Sequence, residues 1–353
     1  MKRRALLLAA LPLPALAEIR RGRPFAFPRD HGTHNEAGTE WWYATGWTGT
    51  PEAPRFGFQV TFFRSRTGVA EGVKGRFAAR HVLFAHAAIT DLQAGRHLHA
   101  QRLARWSGDA AEGPAFAAVD DARVRLADWS FVREGAGYRT RTPAADFALD
   151  LALAPTQPML LQGDAGFSRK GPLESQASHY YSEPQLAAQG TLTVDRQAVP
   201  VQGRAWLDRE WSDAYLAPDA VGWDWLGVNL FDGSALMLFR IRRADGSALW
   251  AGGGWRPPGG AMRAFGADEV RFTPGRRWTS PQSQGAYPVE WTLESPAGRF
   301  GLKALLDAQE LDSRGNTGAV YWEGLSELTD AAGRRIGLGY LEMTGYAGRL
   351  RMS

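Results

Sequence analysis

The feature of this sequence that most constrains its fold is a series of short runs in which apolar and polar residues alternate. A period of two places every second side chain on the same face of a strand. Gly, Pro, Asp and Asn residues separate the runs, and no long amphipathic helix with capping residues lies between them. The pattern predicts an all-β fold of the sandwich or barrel type. The clearest runs are Gly57–Phe63, Ala145–Ala154, Gly190–Val194, Leu226–Phe231, Ala235–Arg242, Val289–Leu293 and Gly339–Met343.

Residues 1–17 have the pattern of a secretory signal peptide. MKRRALLLAALPLPALA begins with basic residues, continues with a short apolar stretch and ends with small residues at Ala15 and Ala17. We expect cleavage before Glu18 and a periplasmic or secreted mature protein. The sequence contains no cysteine, so we expect neither disulfides nor a lipidated cysteine, and stability must come from an apolar core.

The charge of the chain argues against nucleic acid as a partner. The 353 residues carry a formal charge of +4, and removing the three cations Lys2, Arg3 and Arg4 with the signal peptide leaves +1. No run of basic residues forms the footprint expected of a nucleic-acid-binding surface. The length is sufficient for two domains.

The segment Gly203–Trp225 concentrates aromatic and acidic residues. A buried tryptophan needs a partner for its N–H, and carboxylates beside an aromatic wall are typical of a ligand pocket. We therefore predict a site here, although a sheet edge with aromatic packing and solvated acids would give the same composition. The candidate residues are Trp206, Asp208, Arg209, Glu210, Trp211, Trp223, Asp224 and Trp225.

A second aromatic cluster opens an early strand at Glu40. Alternation places Trp41 and Tyr43 on one face of this strand and Trp42 on the other. All three are candidates for the wall of a ligand pocket.

Three other residues are candidates from their surroundings. His86 lies within an apolar run and is either a satisfied core residue or a polar point of a cavity. His179 and Tyr181 follow a long polar segment and either hang over a pocket entrance or pack against the sheet. Because the segment that carries His31 and His34 is not helical, we expect no metal site, and no cofactor motif is recognised.

Seven short motifs occur in order along the chain and resemble those of a known family. They are EWWYATG at 40–46, FAHAAITD at 84–91, YYSEP at 180–184, GRAWLDREWS at 203–212, GWDW at 222–225, YWEG at 321–324 and GYLEMTGY at 339–346. Together they resemble the AttH-like family, which includes the bacterial carotenoid 1,2-hydratases, also called hydroxyneurosporene synthases. The resemblance implies two tandem lipocalin-like β-barrels packed side by side, over residues 18–215 and 216–353.

The same resemblance implies a role for the central acids. The hydratases use acidic and histidine side chains near a D-x-x-W element to protonate a carbon–carbon double bond. Here that element is Asp208 to Trp211, and Arg209 stands where hydratase members tend to carry histidine. Because arginine stays protonated at ordinary pH, it cannot shuttle a proton. This departure favours ligand binding without chemistry.

Three functions therefore fit the sequence. The favoured one is an exported carrier that binds a lipid or isoprenoid in a Trp-lined barrel pocket, with a membrane transporter as a candidate partner. The second is a hydro-lyase that adds water to a carotenoid-like double bond, with Asp208, Glu210 or Asp224 as the acid. In that function His86 or His179 would orient the water. The third is a carbohydrate-active protein in which Asp208 and Glu210 form the carboxylate pair.

A β-hairpin is predicted around Asp232-Gly233. This dipeptide between two alternating runs is a strong signal for a two-residue loop. A two-residue loop would place Trp225 opposite Arg240. In the same register Asp224 would be the one carboxylate on an otherwise apolar face.

A lone carboxylate on an apolar face is costly to bury unless it gains partners. We therefore expect Asp224 to be buried and to contact at least one member of the Trp206–Trp211 element. Under the hydro-lyase hypothesis, Asp224→Asn would abolish turnover while ligand binding remained.

Overall fold

The computed structural model of the protein describes residues 19–73, 75, 77–108 and 113–350. The expected signal peptide lies outside the described residues. Within them the helical structure consists of two single turns of 3-10 helix, Arg29–His31 and Ala267–Glu269, and the rest of the regular structure is β-strand. Neither of these turns is long or apolar enough to cross a membrane.

The first sheet is formed by the N-terminal part of the described chain. Its strands are β1 (Thr39–Gly49), β2 (Pro54–Arg66), β3 (His81–Asp91), β4 (Arg96–Trp106), β5 (Ala115–Ala117), β6 (Arg123–Leu126), β7 (Trp129–Glu134), β8 (Gly137–Pro143), β9 (Phe147–Ala154), β10 (Leu160–Leu161), β11 (Phe167–Arg169), β12 (Ala177–Val194) and β13 (Gln197–Ser212). Their order is β4-β3-β2-β1-β13-β12-β9-β8-β7-β6-β5, with β10 and β11 also paired to β12. The end strands β4 and β5 approach each other, so the sheet nearly closes into a barrel.

The second sheet follows after Ser212. Its strands are β14 (Gly222–Leu230), β15 (Ala235–Arg242), β16 (Ala248–Arg256), β17 (Arg263–Phe265), β18 (Arg271–Pro274), β21 (Glu290–Ser295), β22 (Gly298–Ala304), β23 (Glu310–Ser313), β24 (Ala319–Thr329) and β25 (Arg335–Thr344); β19 (Arg277–Thr279) and β20 (Ala286–Pro288) pair separately. Their order is β17-β16-β15-β14-β25-β24-β22-β21-β18, with β23 paired to β24. The prediction of two tandem lipocalin-like barrels is confirmed.

Alternate positions of the strands fill the interior of each barrel. In the first barrel, Phe58 and Phe62 of β2 face inward with Ile89 of β3. In the second barrel, Leu226 of β14 and Leu238 of β15 do the same. Burying apolar area contributes about 25 cal/mol per Å², which stabilises the fold without a disulfide.

A third apolar core lies between the two barrels. It unites outward-facing residues of the first sheet with outward-facing residues of the second, and we call it the inter-barrel core. Because alternate residues of a strand point to opposite faces, β1, β12 and β13 serve the first barrel's interior and this core at the same time. Its main members are Tyr43, Trp47, Tyr180, Trp206, Trp225, Met237, Phe239, Leu325, Leu338 and Tyr340.

The β14–β15 hairpin differs by one residue from the predicted register. The Leu230 N–H donates to the Ser234 carbonyl at 3.0 Å, which leaves a loop of three residues that ends at Gly233 with φ 91°. A three-residue loop whose last residue is left-handed is a common hairpin connection, and glycine suits that position. Trp225 therefore lies opposite Phe239, and the predicted pairing of Trp225 with Arg240 is wrong.

Candidate functional site

A cavity of about 80 Å³ lies between the barrels. This volume is several times the roughly 10–15 Å³ that one water molecule needs. The first barrel and its loops contribute Trp41, Tyr43, Phe63, Lys170, Tyr180, Asp208 and Glu210. The second barrel contributes Trp223, Trp225, Phe239, Tyr321, Glu323 and Glu342. We expected a ligand pocket inside a barrel. This location is wrong for the predicted residues that line the cavity, because their strands turn these side chains outward, towards the inter-barrel core.

Strand alternation explains which predicted residues reach the cavity. Asp208 and Glu210 of β13 share one face of the strand and lie opposite Tyr43 and Trp41 of β1 in the antiparallel register. The predicted common face of Trp41 and Tyr43 is therefore confirmed.

Asp208 is a buried carboxyl group surrounded by hydrogen-bond donors. Its Oδ1 accepts from Ser182 Oγ at 2.5 Å and from Trp206 Nε1 at 2.6 Å, and its Oδ2 accepts from Tyr180 Oη at 2.6 Å. Burial nevertheless raises the pKa of Asp208 to about 7, against the lowering effect of these hydrogen bonds. The group can therefore hold a proton near neutral pH.

Glu210 is held by a buried lysine that the sequence did not suggest as a site residue. Lys170 Nζ lies 2.8 Å from Glu210 Oε1 and donates to Ser168 Oγ at 3.2 Å. Ser178 Oγ donates a short hydrogen bond to the same Glu210 oxygen. Glu210 is thus a fixed member of an ion pair.

Two glutamates from the second barrel complete the acidic side of the cavity. Glu323 of β24 and Glu342 of β25 lie directly opposite each other across an antiparallel pair. Burial raises the pKa of Glu342 to about 8, helped by the charges of Asp208 and Glu210. Burial and the neighbouring Glu342 also raise the pKa of Glu323 well above its usual range.

An unsatisfied polar pair lies beside these glutamates. Tyr43 Oη and Glu323 Oε1 are buried and lie near enough for a weak hydrogen bond to each other, but neither has a partner of good hydrogen-bond geometry within the described residues. They are close enough that burial and the Glu323 charge raise the pKa of Tyr43 well above its usual range. Buried polar atoms without partners are costly, so this corner is suited to water or to a polar group of a ligand.

Aromatic rings form the rest of the wall. The Trp225 N–H donates to Tyr180 Oη at 3.1 Å, which links this tryptophan to Asp208 through the tyrosine hydroxyl. The Trp223 N–H donates to Glu342 Oε1 at 3.0 Å. Trp41 and Trp223 are only half-buried, so the cavity reaches solvent beside them.

Comparison with known proteins places the chain in a family. The family model described as AttH-like matches residues 18–346. This chain belongs to the AttH-like family. No curated protein matches the sequence significantly.

Three solved structures are similar to this AttH-like chain. A candidate AttH from Nitrosomonas europaea is 46% identical, with a TM-score of 0.85 over 94% of this chain and 100% of that one. Kievitone hydratase from Nectria haematococca is 15% identical, with a TM-score of 0.69 over 92% and 94% of the two chains. CghA is 14% identical, with a TM-score of 0.58 over 96% and 98%. The last two likenesses establish the fold alone.

Several predicted ligand-binding residues of this AttH-like protein lie in the interior of the first barrel instead. Arg209 stacks on Trp42, with 4.1 Å between the guanidinium carbon and the ring centroid, and it forms a buried ion pair with Glu40. Trp211 stacks on His34 with 3.7 Å between ring centroids. These residues do not line the cavity between the barrels.

The remaining aromatic candidates also point away from the cavity or support it from behind. Tyr181 Oη lies 2.6 Å from His31 Nδ1, and the ring of His179 packs against Trp211. Trp206 contributes only through its N–H bond to Asp208 and through the packing of the inter-barrel core.

Asp224 is buried as predicted, but its partners are not those expected. It pairs with Arg240 at 2.7 Å and with Arg242 at 3.1 Å, and Tyr346 Oη donates to it at 2.9 Å. These partners belong to the second barrel, and none comes from the Trp206–Trp211 element. Asp224 faces the interior of that barrel and does not line the cavity.

His86 is placed behind the cavity wall. Its Nδ1 makes a short hydrogen bond with the hydroxyl of Tyr321, which does line the cavity, and its Nε2 lies 3.2 Å from Ser313 Oγ. Burial lowers the pKa of His86 to about 3, so the ring is neutral and positions Tyr321. In the described part of the chain, no group of three or more His, Cys, Asp or Glu side chains is arranged to hold a metal ion.

Proposed function

We propose that this AttH-like protein is a hydro-lyase that adds water to the double bond of an apolar small molecule bound between the barrels. The observation that carries the proposal is Asp208, a buried carboxyl whose pKa of about 7 keeps a proton available beside an aromatic wall. A general acid works best when its pKa lies near the working pH.

The proton of Asp208 is transferred to one alkene carbon, and the π electrons form the new C–H bond. This leaves a carbocation on the neighbouring carbon, which the ring faces of Trp225 and Tyr180 stabilise through their negative quadrupoles. Water then adds to the cation and loses a proton to the Asp208 carboxylate that the first step produced, which restores the acid. The net change is the addition of H and OH without oxidation or reduction.

The acids argue for chemistry over simple carriage. A carrier of an apolar ligand gains nothing from buried carboxyl groups, which are costly unless they serve a purpose. The carbohydrate-active hypothesis is weaker still, because Glu210 is fixed by Lys170 and Ser178 and is not free to act as a second carboxylate. Carriage remains the second candidate, since aromatic side chains dominate the cavity wall.

Incubation in ¹⁸O-labelled water with an acyclic carotenoid and with a short prenylated phenol tests the proposal. Wild type should incorporate the label into an alcohol, and Asp208→Asn should lower kcat/KM by about 100-fold or more because it cannot donate the proton. Asp245→Asn changes an exposed aspartate and should have no effect. Tight binding of both compounds with no labelled product would favour the carrier instead.

We also propose that the protein acts after export, on the basis of residues 1–17. Protein recovered from the periplasm or medium should begin at Glu18, as N-terminal sequencing would establish. An intact Met1 in that fraction would contradict export by cleavage. A membrane transporter as partner becomes relevant only if the carrier function holds.

A further inference from the structure

Lys170 is a fixed cation in the cavity wall. It follows β11, and its N–H donates to the Gln176 carbonyl at 2.7 Å, which closes the turn before β12. Its side chain is only 8% exposed. It is the only lysine or arginine among the described residues that line the cavity. Holding a long lysine side chain in one buried conformation costs conformational entropy, which a contact with a ligand would offset.

The hydrogen bonds of the ammonium group are incomplete. A lysine ammonium has three N–H donors; Lys170 Nζ donates to Ser168 Oγ and forms an ion pair with Glu210 Oε1. No further oxygen acceptor within hydrogen-bonding distance is found in the described residues. Nζ lies 4.8 Å from the ring centroid of Tyr180 and 4.5 Å from that of Phe239, and both rings line the cavity. The ammonium group therefore lies beside two rings that a ligand would touch.

The ion pair with Glu210 does not fully account for the buried position of Lys170 in the cavity wall. The same Glu210 oxygen also accepts from Ser178 Oγ. The other carboxyl groups of the cavity, Asp208, Glu323 and Glu342, favour their neutral forms because of burial. The Lys170–Glu210 pair is then the main charged feature of an otherwise aromatic cavity, and its cation has a donor to spare.

We propose that Lys170 binds an acceptor oxygen of the ligand, so that the cavity selects unsaturated molecules bearing a carbonyl or carboxylate oxygen over pure hydrocarbons. This inference deepens the proposed function and rests on it for the identity of the reacting double bond. Lys170 is here a binding and specificity residue. It takes no part in the proton transfer.

Two matched probes test the selection directly. Benzylideneacetone carries a ketone, and its hydrocarbon analogue has a methylene group in place of the carbonyl oxygen. Calorimetric titration of the mature wild-type protein should show the ketone binding about tenfold more tightly or better, which is the worth of one hydrogen bond to a charged donor. Lys170→Met should bring the two affinities to within about twofold of each other.

Lys303→Met is the matched control. Lys303 lies on β22 with its side chain 56% exposed, so this variant removes the same charge away from the cavity and should keep the wild-type preference. A wild type that binds both probes equally, or neither, overturns the inference. So does a Lys170→Met variant that weakens both probes by the same factor, because that result means Lys170 only balances Glu210.

A measurement on the wild type covers the case in which Lys170→Met does not fold. The sequence has four lysines, Lys2, Lys74, Lys170 and Lys303, so ¹⁵N labelling of lysine side chains gives few ammonium signals. The ketone should shift the buried Lys170 signal and the hydrocarbon should not; a shift with both or with neither contradicts the inference. Because no turnover is measured, absence of hydration with an intact ketone preference would reject the hydro-lyase and not the role of Lys170.

Discussion

Asp208 and Glu323 are buried acids that no arginine or lysine of the described chain neutralises through an ion pair. Glu40 and Asp224 are equally buried, but each lies against two arginine side chains. Burial without a cation favours the protonated form, and burial beside a cation favours the ionised form. Composition could indicate that acids cluster near tryptophans, yet it could not separate these two environments, because the neighbouring cation is chosen by cross-strand register.

The first prediction concerns stability against pH. The pKa values of Asp208, about 7, and of Glu342, about 8, lie above those of the unfolded chain, so between about pH 7 and 8 the folded protein binds more protons. Below this window the buried histidines, whose pKa values burial lowers, act in the opposite direction. The free energy of unfolding should therefore fall as pH rises through this window, by up to about 1.4 kcal/mol per pH unit for each such group. Urea titrations at several pH values measure the slope.

Glu323→Gln should make that slope shallower. The amide keeps the shape of the side chain, cannot ionise, and removes the charge that Glu342 would meet across the strand pair. Glu294→Gln is the control, because its side chain is 43% exposed on β21 and the slope should not change. A wild-type stability that rises from pH 7 to 8 would show that these groups ionise easily in the folded state.

At the scale of elements, period-two alternation predicts which side chains of the site share a face of a strand. What it cannot predict is the length of the connections, which decides how strands pair. Alternation alone places Asp208 and Glu210, two residues apart on β13, on one face. Nothing in the sequence distinguished a two-residue from a three-residue loop at Gly233, and that one residue changes every cross-strand neighbour of β14. Lys170 escaped prediction because it lies between strands, where no periodicity assigns a face.

The observed partners of Asp224 predict that Asp224→Asn loses stability, where the hydro-lyase hypothesis predicted a loss of turnover. Asp224→Asn removes the counter-charge of Arg240 and Arg242 inside the second barrel, which should cost about 3–5 kcal/mol of unfolding free energy. At temperatures where the variant is folded, its binding of benzylideneacetone should match the wild type. Urea unfolding and calorimetric titration measure the two effects.

An Asp232→Asn variant serves as the comparison for that experiment, because this aspartate lies in the exposed loop of the same hairpin. It should lose far less stability than Asp224→Asn. Equal losses of stability in the two variants, or a loss of turnover in folded Asp224→Asn, would restore Asp224 to the site.

At the scale of the whole molecule, the site depends on the contact between two barrels. Alternation predicts that Trp41 and Tyr43 share a face, but it cannot tell whether an outward face meets solvent or a second sheet. Glu323 and Glu342 lie far from Asp208 in sequence, and only the packing of the barrels brings them to one cavity. The resemblance implied side-by-side barrels and left open which strands touch.

The inter-barrel core implies that the barrels unfold together and that loosening their contact weakens the site. Asn229 of β14 bridges them: its Nδ2 donates to the Ala205 carbonyl at 3.0 Å, and its Oδ1 accepts from the Gln185 N–H at 2.8 Å. Asn229→Ala leaves both backbone groups without this partner, at a cost of about 1–3 kcal/mol. Calorimetry of the mature wild type should show one transition, and the variant should show one transition at a Tm lower by a few degrees.

Binding of benzylideneacetone should weaken in the same variant. Both barrels contribute walls of the cavity, and the substitution changes how the two barrels pack against each other. Asn316→Ala removes an exposed asparagine side chain from the loop after β23 and should alter neither the Tm nor the affinity. Two separate transitions in the wild type would mean that each barrel is stable without the other. In that case the inter-barrel core would be a docking contact between independent domains, and Asn229→Ala would reduce affinity without lowering either transition.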